Sequence, residues 1–200
     1  MKFLAFTLLI TLMSTGFSQS NDQASEELPY RQISDYPENF SSGNLVSRMI
    51  DGLGFRYYWA TEGLRQEDLN YAPSEGARTT LETMQHIYGL SSMVLNATLS
   101  QPNQGGSDAS KMDYETLRKE TLMNIQQASE QMLGKSTEEV EKMMIVFQRG
   151  EQKQEIPFWN VLNGPLADAI YHTGQIVSFR RASGNPMNPK VSVFSGTVRE

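Results

Sequence analysis

The 200-residue chain contains no cysteine. This absence excludes a disulfide framework, a thiolate zinc site and a cysteine nucleophile together. It also excludes a lipid anchor on an N-terminal cysteine. Any metal ion must therefore be bound by histidine, aspartate, glutamate or backbone oxygen atoms.

Positive charge is scarce as well. Lysine and arginine number 17 against 23 aspartates and glutamates, which gives a formal net charge of -6. The only basic feature that stands out near a helix end is the pair Arg180 and Arg181. An acidic chain without a basic cluster is a poor partner for nucleic acid or for an anionic membrane surface. We therefore expect no nucleic-acid partner.

The long apolar run at the N-terminus, residues 3–13, is too short for a membrane-spanning helix of roughly 18 residues. Lys2 precedes this run, and small residues follow it up to Ser18. This pattern is typical of a signal peptide, and we predict cleavage after Ser18. The mature protein would then be exported, either periplasmic or secreted, and free of the membrane. The alternative is a retained N-terminal anchor.

The rest of the chain is long enough for one domain, and 38% apolar residues suffice for a core. Polar, proline-containing sequence precedes the periodic part, and a short segment follows it. We predict a division into a signal peptide, a linker, a helical domain and a C-terminal tail, at 1–18, 19–42, 43–185 and 186–200.

Apolar residues recur at helical spacing in four segments, at about 44–66, 80–100, 111–133 and 158–183. In the first segment the stripe includes Leu45, Met49, Leu53 and Tyr57. Four helices with one apolar stripe each predict an all-α fold, a four-helix bundle.

Two features interrupt this pattern. Pro165 lies inside the last helical segment and predicts a break near Gly164, because proline cannot donate the interior hydrogen bond. Before that helix, two short apolar runs flank Arg149, Gly150 and Glu151, which predicts a small hairpin excursion.

The chain has two histidines, His86 and His172, and each lies in a predicted long helix. Asp168 precedes His172 by four residues, so the two side chains are separated by about 40° around the helix and about 6 Å along it. With His86 from a facing helix, two imidazoles and one carboxylate would form a facial metal site with open positions. The alternatives are a simple Asp168–His172 hydrogen bond and a core histidine at position 86.

Two further side chains are candidates to support the ligands. Gln175 lies about one turn after His172, and Glu82 about one turn before His86. Glu82 could act as a general base on a nearby water molecule. Its alternative role is a capping box with Thr79 at the start of the helix.

Two segments resemble the DinB-like superfamily, which includes the YfiT-like proteins. Residues 78–87 (RTTLETMQHI) resemble its second helix, and residues 167–176 (ADAIYHTGQI), followed by Arg180 and Gly184, resemble its last helix. The resemblance covers roughly residues 44–185. It implies a four-helix bundle with a three-histidine metal site and, for some members, a homodimer.

The resemblance assigns His86 and His172 to the first and last ligands, and Asp168 to the place where the family usually has its middle histidine. Aspartate is a competent ligand for zinc, nickel, manganese or iron, so the departure changes the charge of the site rather than its ligand number. The alternative is a site that has decayed and binds nothing.

The function that the resemblance implies is broad: a metal-dependent hydrolase or a thiol S-transferase acting on a small molecule of unknown identity. Export favours the hydrolase, because cytosolic thiol cofactors are scarce outside the cell. The alternative is a non-catalytic helical bundle that binds a small molecule or a protein and keeps a vestigial metal site.

Overall fold

The structure is a computed structural model that describes residues 27–104 and 109–200. The predicted signal peptide, 1–18, and the first part of the predicted linker lie outside the described residues. The helices in chain order are α1 (Ser42–Thr61), α2 (Gln66–Leu69), α3 (Thr80–Thr98), α4 (Tyr114–Met132), α5 (Thr137–Val140), α6 (Trp159–Val161) and α7 (Ala167–Ala182). The strands are β1 (Pro102–Asn103), β2 (Met144–Arg149), β3 (Gln152–Pro157), β4 (Val191–Ser192) and β5 (Thr197–Val198).

Side-chain caps set where the long helices begin. The Thr79 hydroxyl accepts a hydrogen bond from the Glu82 backbone N–H, and the Glu82 carboxylate accepts one from the Thr79 N–H. Ser41 and Asp113 cap α1 and α4 with their side chains in a similar way. Each cap satisfies a backbone donor that the first turn of a helix leaves unpaired.

The four long helices α1, α3, α4 and α7 pack around one apolar core. In α1 the inner row is Val46, Ile50 and Leu53, whereas Leu45 and Met49 are 48% and 47% exposed. The predicted stripe was wrong at Leu45 and Met49, because two adjacent rows of α1 are apolar and only tertiary packing selects one. Among the described residues, none of the helices combines the length and apolarity needed to cross a membrane.

The hydrogen bonds between helices fix their directions. Near the start of α4, Arg118 donates to Thr61 at the end of α1, while Ser129 near the end of α4 bonds to Ser47 near the start of α1. These two helices are therefore antiparallel. At the end of α7, Arg180 donates to the backbone oxygens of Trp59 and Ala60 at the end of α1, so α7 runs parallel to α1.

Helix α3 is antiparallel to α7, because the ring of Tyr71, which precedes α3, lies 5.8 Å from the ring of Phe179 late in α7. Helices α3 and α4 consequently run in the same direction, so the end of α3 and the start of α4 lie at opposite ends of the bundle. Helices α3 and α4 pack against each other. Of the two, only α4 also packs against α1. Helices α1 and α3 therefore lie diagonally across the core.

The chain is mostly helical but not all-α, which corrects the predicted fold class. The predicted hairpin is present as β2 and β3, with Ile145 opposite Ile156. Strand β1 adds to it in parallel, with Pro102 opposite Val146, and the Asn103 side chain donates to the Val146 carbonyl. The strand β1 was missed because two residues in a loop carry no periodic pattern.

One helix boundary and the C-terminal segment differ from the predictions. Helix α1 ends at Thr61 rather than near 66, because Gly63 takes a left-handed conformation (φ 65°) that ends the helix. The segment after α7, predicted as a tail, contains the short antiparallel pair of β4 and β5. The break predicted near Gly164 is present as a π turn, Leu162–Leu166.

A buried carboxylate, that of Asp68, connects α2 to the end of α7. Asp68 is fully buried and accepts hydrogen bonds from Arg65, from the Ser183 hydroxyl and from the Asn185 amide. The Arg65 hydrogen bond comes first among the contacts that hold the pKa of Asp68 far below its usual range. Since Ser183 and Asn185 follow α7, Asp68 fixes the end of α7 against α2.

We expect Asp68→Ala to lower the free energy of unfolding by about 3 kcal/mol, since it removes a buried acceptor that several donors share. The matched control is Glu67→Ala, which removes a neighbouring carboxylate whose ion pair with Arg65 is exposed. That control should change the free energy by less than about 1 kcal/mol. Urea unfolding at pH 7 measures both.

The same carboxylate predicts a pH dependence. Because its pKa is lower in the folded than in the unfolded chain, its contribution is complete above the unfolded value of about 3.9 and is lost as the pH falls below it. The acid destabilisation should therefore be weaker in Asp68→Ala than in wild type. Equal pH dependence in both proteins would contradict this assignment.

Candidate metal centre

The candidate centre lies between α3 and α7. His86 projects from the second turn of α3, which the Thr79–Glu82 cap starts. Asp168 and His172 lie one turn apart on α7, which begins anew after the break at Pro165. Because the two helices are antiparallel neighbours, His86 lies opposite this pair.

The three side chains converge as the spacing predicts. One ligand atom from each of His86, Asp168 and His172 lies within 4.8 Å of the others. The Nε2 atom of His86 is 3.3 Å from Oδ2 of Asp168, and Nε2 of His172 is 3.4 Å from Oδ1. The two imidazole rings meet edge to face, with their centroids 4.6 Å apart. This group could hold a metal ion.

Gln175 determines which nitrogen of His172 carries the proton. Its Oε1 atom lies 2.7 Å from Nδ1 of His172. Since an amide oxygen only accepts, Nδ1 must donate, and a neutral His172 then presents an unprotonated Nε2. This nitrogen lies 3.4 Å from Oδ1 of Asp168, which is also an acceptor. A cation between the two groups would satisfy both.

His86 favours its neutral form. Burial lowers its pKa below the ordinary value, and the positive charge of Arg78 acts in the same direction. The hydrogen bond that His86 donates to Asp168 acts the other way and is a smaller effect than burial. His86 is one-third exposed, whereas only 12% of the His172 side chain is accessible. A neutral imidazole is the form that binds metal ions.

The two supporting candidates have different positions. The Glu82 carboxylate is bound to the Thr79 backbone and hydroxyl, as the capping-box alternative predicts. Gln175, in contrast, is in direct contact with His172 and reaches the Tyr171 hydroxyl at 3.4 Å. Metal-bound histidines commonly donate their other ring nitrogen to such a group.

Two cavities open on either side of the centre. The first, about 480 Å³, includes His86 in its lining, and the second, about 520 Å³, includes Asp168. Leu90 and Met93 of α3 line both of them. A small molecule in either cavity would therefore reach the convergent side chains.

No pattern in the sequence indicates the residues that line the first cavity from outside the helices. Phe147 and Arg149 reach it from β2, and Asn103 from β1. The hairpin reaches α3 through direct contacts of β2 and through the pairing of β1 with β2, and neither has a local signature. Gly89 in the interior of α3 is the one signal that could have pointed there, since glycine disfavours helix.

Comparison with known proteins adds no relative. No protein-family model matches the sequence, and no curated protein or solved structure matches the chain. The functional inference therefore depends on the geometry of the centre and on the two motifs.

In metal-free protein, we expect His86 to titrate below the ordinary histidine pKa of about 6.5, since burial disfavours its charged form. Asp168→Asn should lower the midpoint further, because the carboxylate favours the imidazolium. The pH dependence of the His86 ring resonances by NMR measures both midpoints. A higher midpoint in Asp168→Asn than in wild type would contradict the arrangement.

Proposed function

We propose that His86, Asp168 and His172 bind one divalent metal ion, and that the protein is a metal-dependent enzyme acting on a small molecule. The observation that carries this proposal is the pair of acceptors at Asp168 and His172. Because Gln175 accepts a hydrogen bond from Nδ1, the unprotonated Nε2 lies 3.4 Å from a carboxylate oxygen, and a metal ion would satisfy both groups.

The spacing of the ligand atoms supports the same conclusion. An ion bound tetrahedrally with bonds of 2.0–2.2 Å separates two of its ligand atoms by roughly 3.4 Å. The two contacts of Asp168 with the histidines are 3.3 Å and 3.4 Å. Two neutral imidazoles and one carboxylate also form a set that zinc, nickel, manganese and iron accept.

The chemistry that a divalent ion supplies at such a site is Lewis-acid activation of a water molecule or a substrate heteroatom. The protein's own residues would hold the ligands, with Gln175 fixing the tautomer of His172. They would also admit the substrate through the cavities beside His86 and Asp168. We favour hydrolysis, with thiol S-transfer as the other reaction class of the resemblance.

Membership in the DinB-like superfamily is part of this proposal. It is supported by four long helices, of which the second and the last carry the motifs and the three convergent side chains. Asp168 in place of a histidine makes the site one unit less positive, which would make a bound water molecule less acidic. Export to the periplasm or medium and a homodimer belong to the same proposal and stay predictions.

We expect zinc or manganese to raise the thermal midpoint of the wild-type protein, since an ion that binds only the folded state stabilises it by about 2.7 kcal/mol at 100 times Kd. Asp168→Ala should abolish most of this shift, and Asp168→His should keep it, because imidazole and carboxylate both supply a lone pair. Differential scanning calorimetry with and without each ion measures the shift.

The matched control is Glu120→Ala. It removes an exposed carboxylate from α4, which packs against α1 and α3 rather than α7. Its metal-dependent shift should equal that of wild type. If no divalent ion shifts the wild-type midpoint, the metal site is excluded. If metal binds but supports no ester hydrolysis or thiol transfer, the non-catalytic binding protein is favoured.

Gln175→Leu tests the supporting contact. We expect metal affinity to fall by about 10–100-fold while one ion still binds, because the hydrogen bond orients His172 without touching the metal. Isothermal titration with zinc gives the affinity and the stoichiometry. Unchanged affinity would show that Gln175 does not position His172.

A further inference from the structure

The cavity beside His86 has walls from three parts of the fold. One face of α3 forms its floor, the loop at β1 forms one side, and Phe147 and Arg149 of β2 form the other. Its volume of about 480 Å³ lies in the range that holds small organic molecules. The cavity therefore has the size and position of a substrate pocket for the adjacent centre.

Several polar groups of this pocket are held in place by hydrogen bonds. The Asn96 amide donates to Oδ1 of Asn103 at 3.0 Å, and Asn103 in turn donates to the Val146 carbonyl. The Ser92 hydroxyl donates to the Tyr88 carbonyl. These contacts orient neutral polar groups around the pocket before any ligand arrives, which lowers the cost of binding.

Arg149 supplies the pocket's charge. In the described parts of the chain, the residues that line the cavity include no carboxylate, and no ion pair engages Arg149. Lys153 on the neighbouring strand, in contrast, pairs with Glu155 at 2.6 Å. A guanidinium with free donors matches a carboxylate in a two-pronged hydrogen-bonded pair. Arg149 therefore places a positive charge at the pocket of a protein whose net charge is -6.

The apolar part of the lining completes the chemistry. Leu90, Met93 and Phe147 lie in the same pocket as Arg149. They favour a ligand with an apolar or aromatic body beside its charged group.

Gly89 leaves space at the floor of the pocket. A Cβ at this position would meet no atom within 4 Å, so no packing contact in the described protein requires glycine there. Glycine in a helix interior nevertheless costs stability relative to alanine. Because glycine has no side chain, Gly89 leaves room for a ligand next to His86, which lies one turn before it in α3.

We propose that this pocket binds a small amphipathic carboxylate, with Arg149 on the carboxylate, the apolar body against Phe147 and Met93, and the other end toward His86. The position of that end relative to a metal ion rests on the proposed function. Binding itself depends on Arg149 and is expected in the metal-free protein.

The test uses phenylacetate and its neutral analogue phenylacetamide as probes, with metal-free full-length protein. We expect phenylacetate to bind saturably and to shift the backbone amide resonances of Gly89 and Phe147. Arg149→Gln should weaken phenylacetate binding about tenfold, through loss of a charged hydrogen-bonded pair, and leave phenylacetamide unchanged. Arg181→Gln, which removes an exposed arginine at the end of α7, should bind phenylacetate as wild type does.

Gly89→Ala is the second variant. It should weaken phenylacetate binding while the thermal midpoint stays equal or rises, because alanine favours helix. Equal phenylacetate affinity in wild type and Arg149→Gln would overturn the proposal, as would resonance shifts away from the pocket or no saturable binding. Asp168→Ala separates the two proposals, since it should remove metal binding and leave phenylacetate binding to the metal-free protein intact.

Discussion

The position of the candidate centre depends on Pro165. Proline has no backbone N–H to donate, so the helical ladder must be interrupted where it stands. The chain meets this constraint with the π turn Leu162–Leu166 and a non-helical Gly164, after which α7 begins at Ala167. Asp168 consequently lies in the first turn of α7. Without this interruption, the face that Asp168 and His172 share would be rotated relative to α3.

Electrostatics and burial act in the same direction at the centre. Burial keeps His86 neutral, and Gln175 gives His172 a fixed tautomer. Asp168, which is 44% exposed, is left as the acceptor between two rings. Two acceptors, Nε2 of His172 and Oδ1 of Asp168, therefore lie 3.4 Å apart, a situation that costs free energy unless a cation lies between them. The packing of α3 against α7 holds the three side chains in this arrangement despite the cost.

Sequence periodicity was sufficient for the long helices and for the Asp168–His172 pair, whereas the position of His86 opposite this pair was expected from the two motifs as well. His172 and Asp168 are separated by one turn, a distance that any helix fixes, and the capping box at Thr79 and Glu82 is a local signal too. The helix directions, the strand β1 and the buried Asp68 cluster were out of reach. They depend on contacts such as Asp68–Ser183, between residues 115 apart in sequence. Arg149 reaches the pocket through non-local contacts too, since β2 packs against α3 and pairs with β1.

The diagonal placement of α1 and α3 has a consequence for the order of folding. The first two long helices to leave the ribosome are each other's most distant partners in the core, so neither can bury its apolar face on the other. Helix α4 is the first neighbour that either one meets, and α1 finds its second only when α7 arrives, with Arg180 and Trp59 separated by 121 residues. Such non-local contacts slow folding relative to bundles of sequential hairpins. The chain must therefore be almost completely synthesised before its core can close.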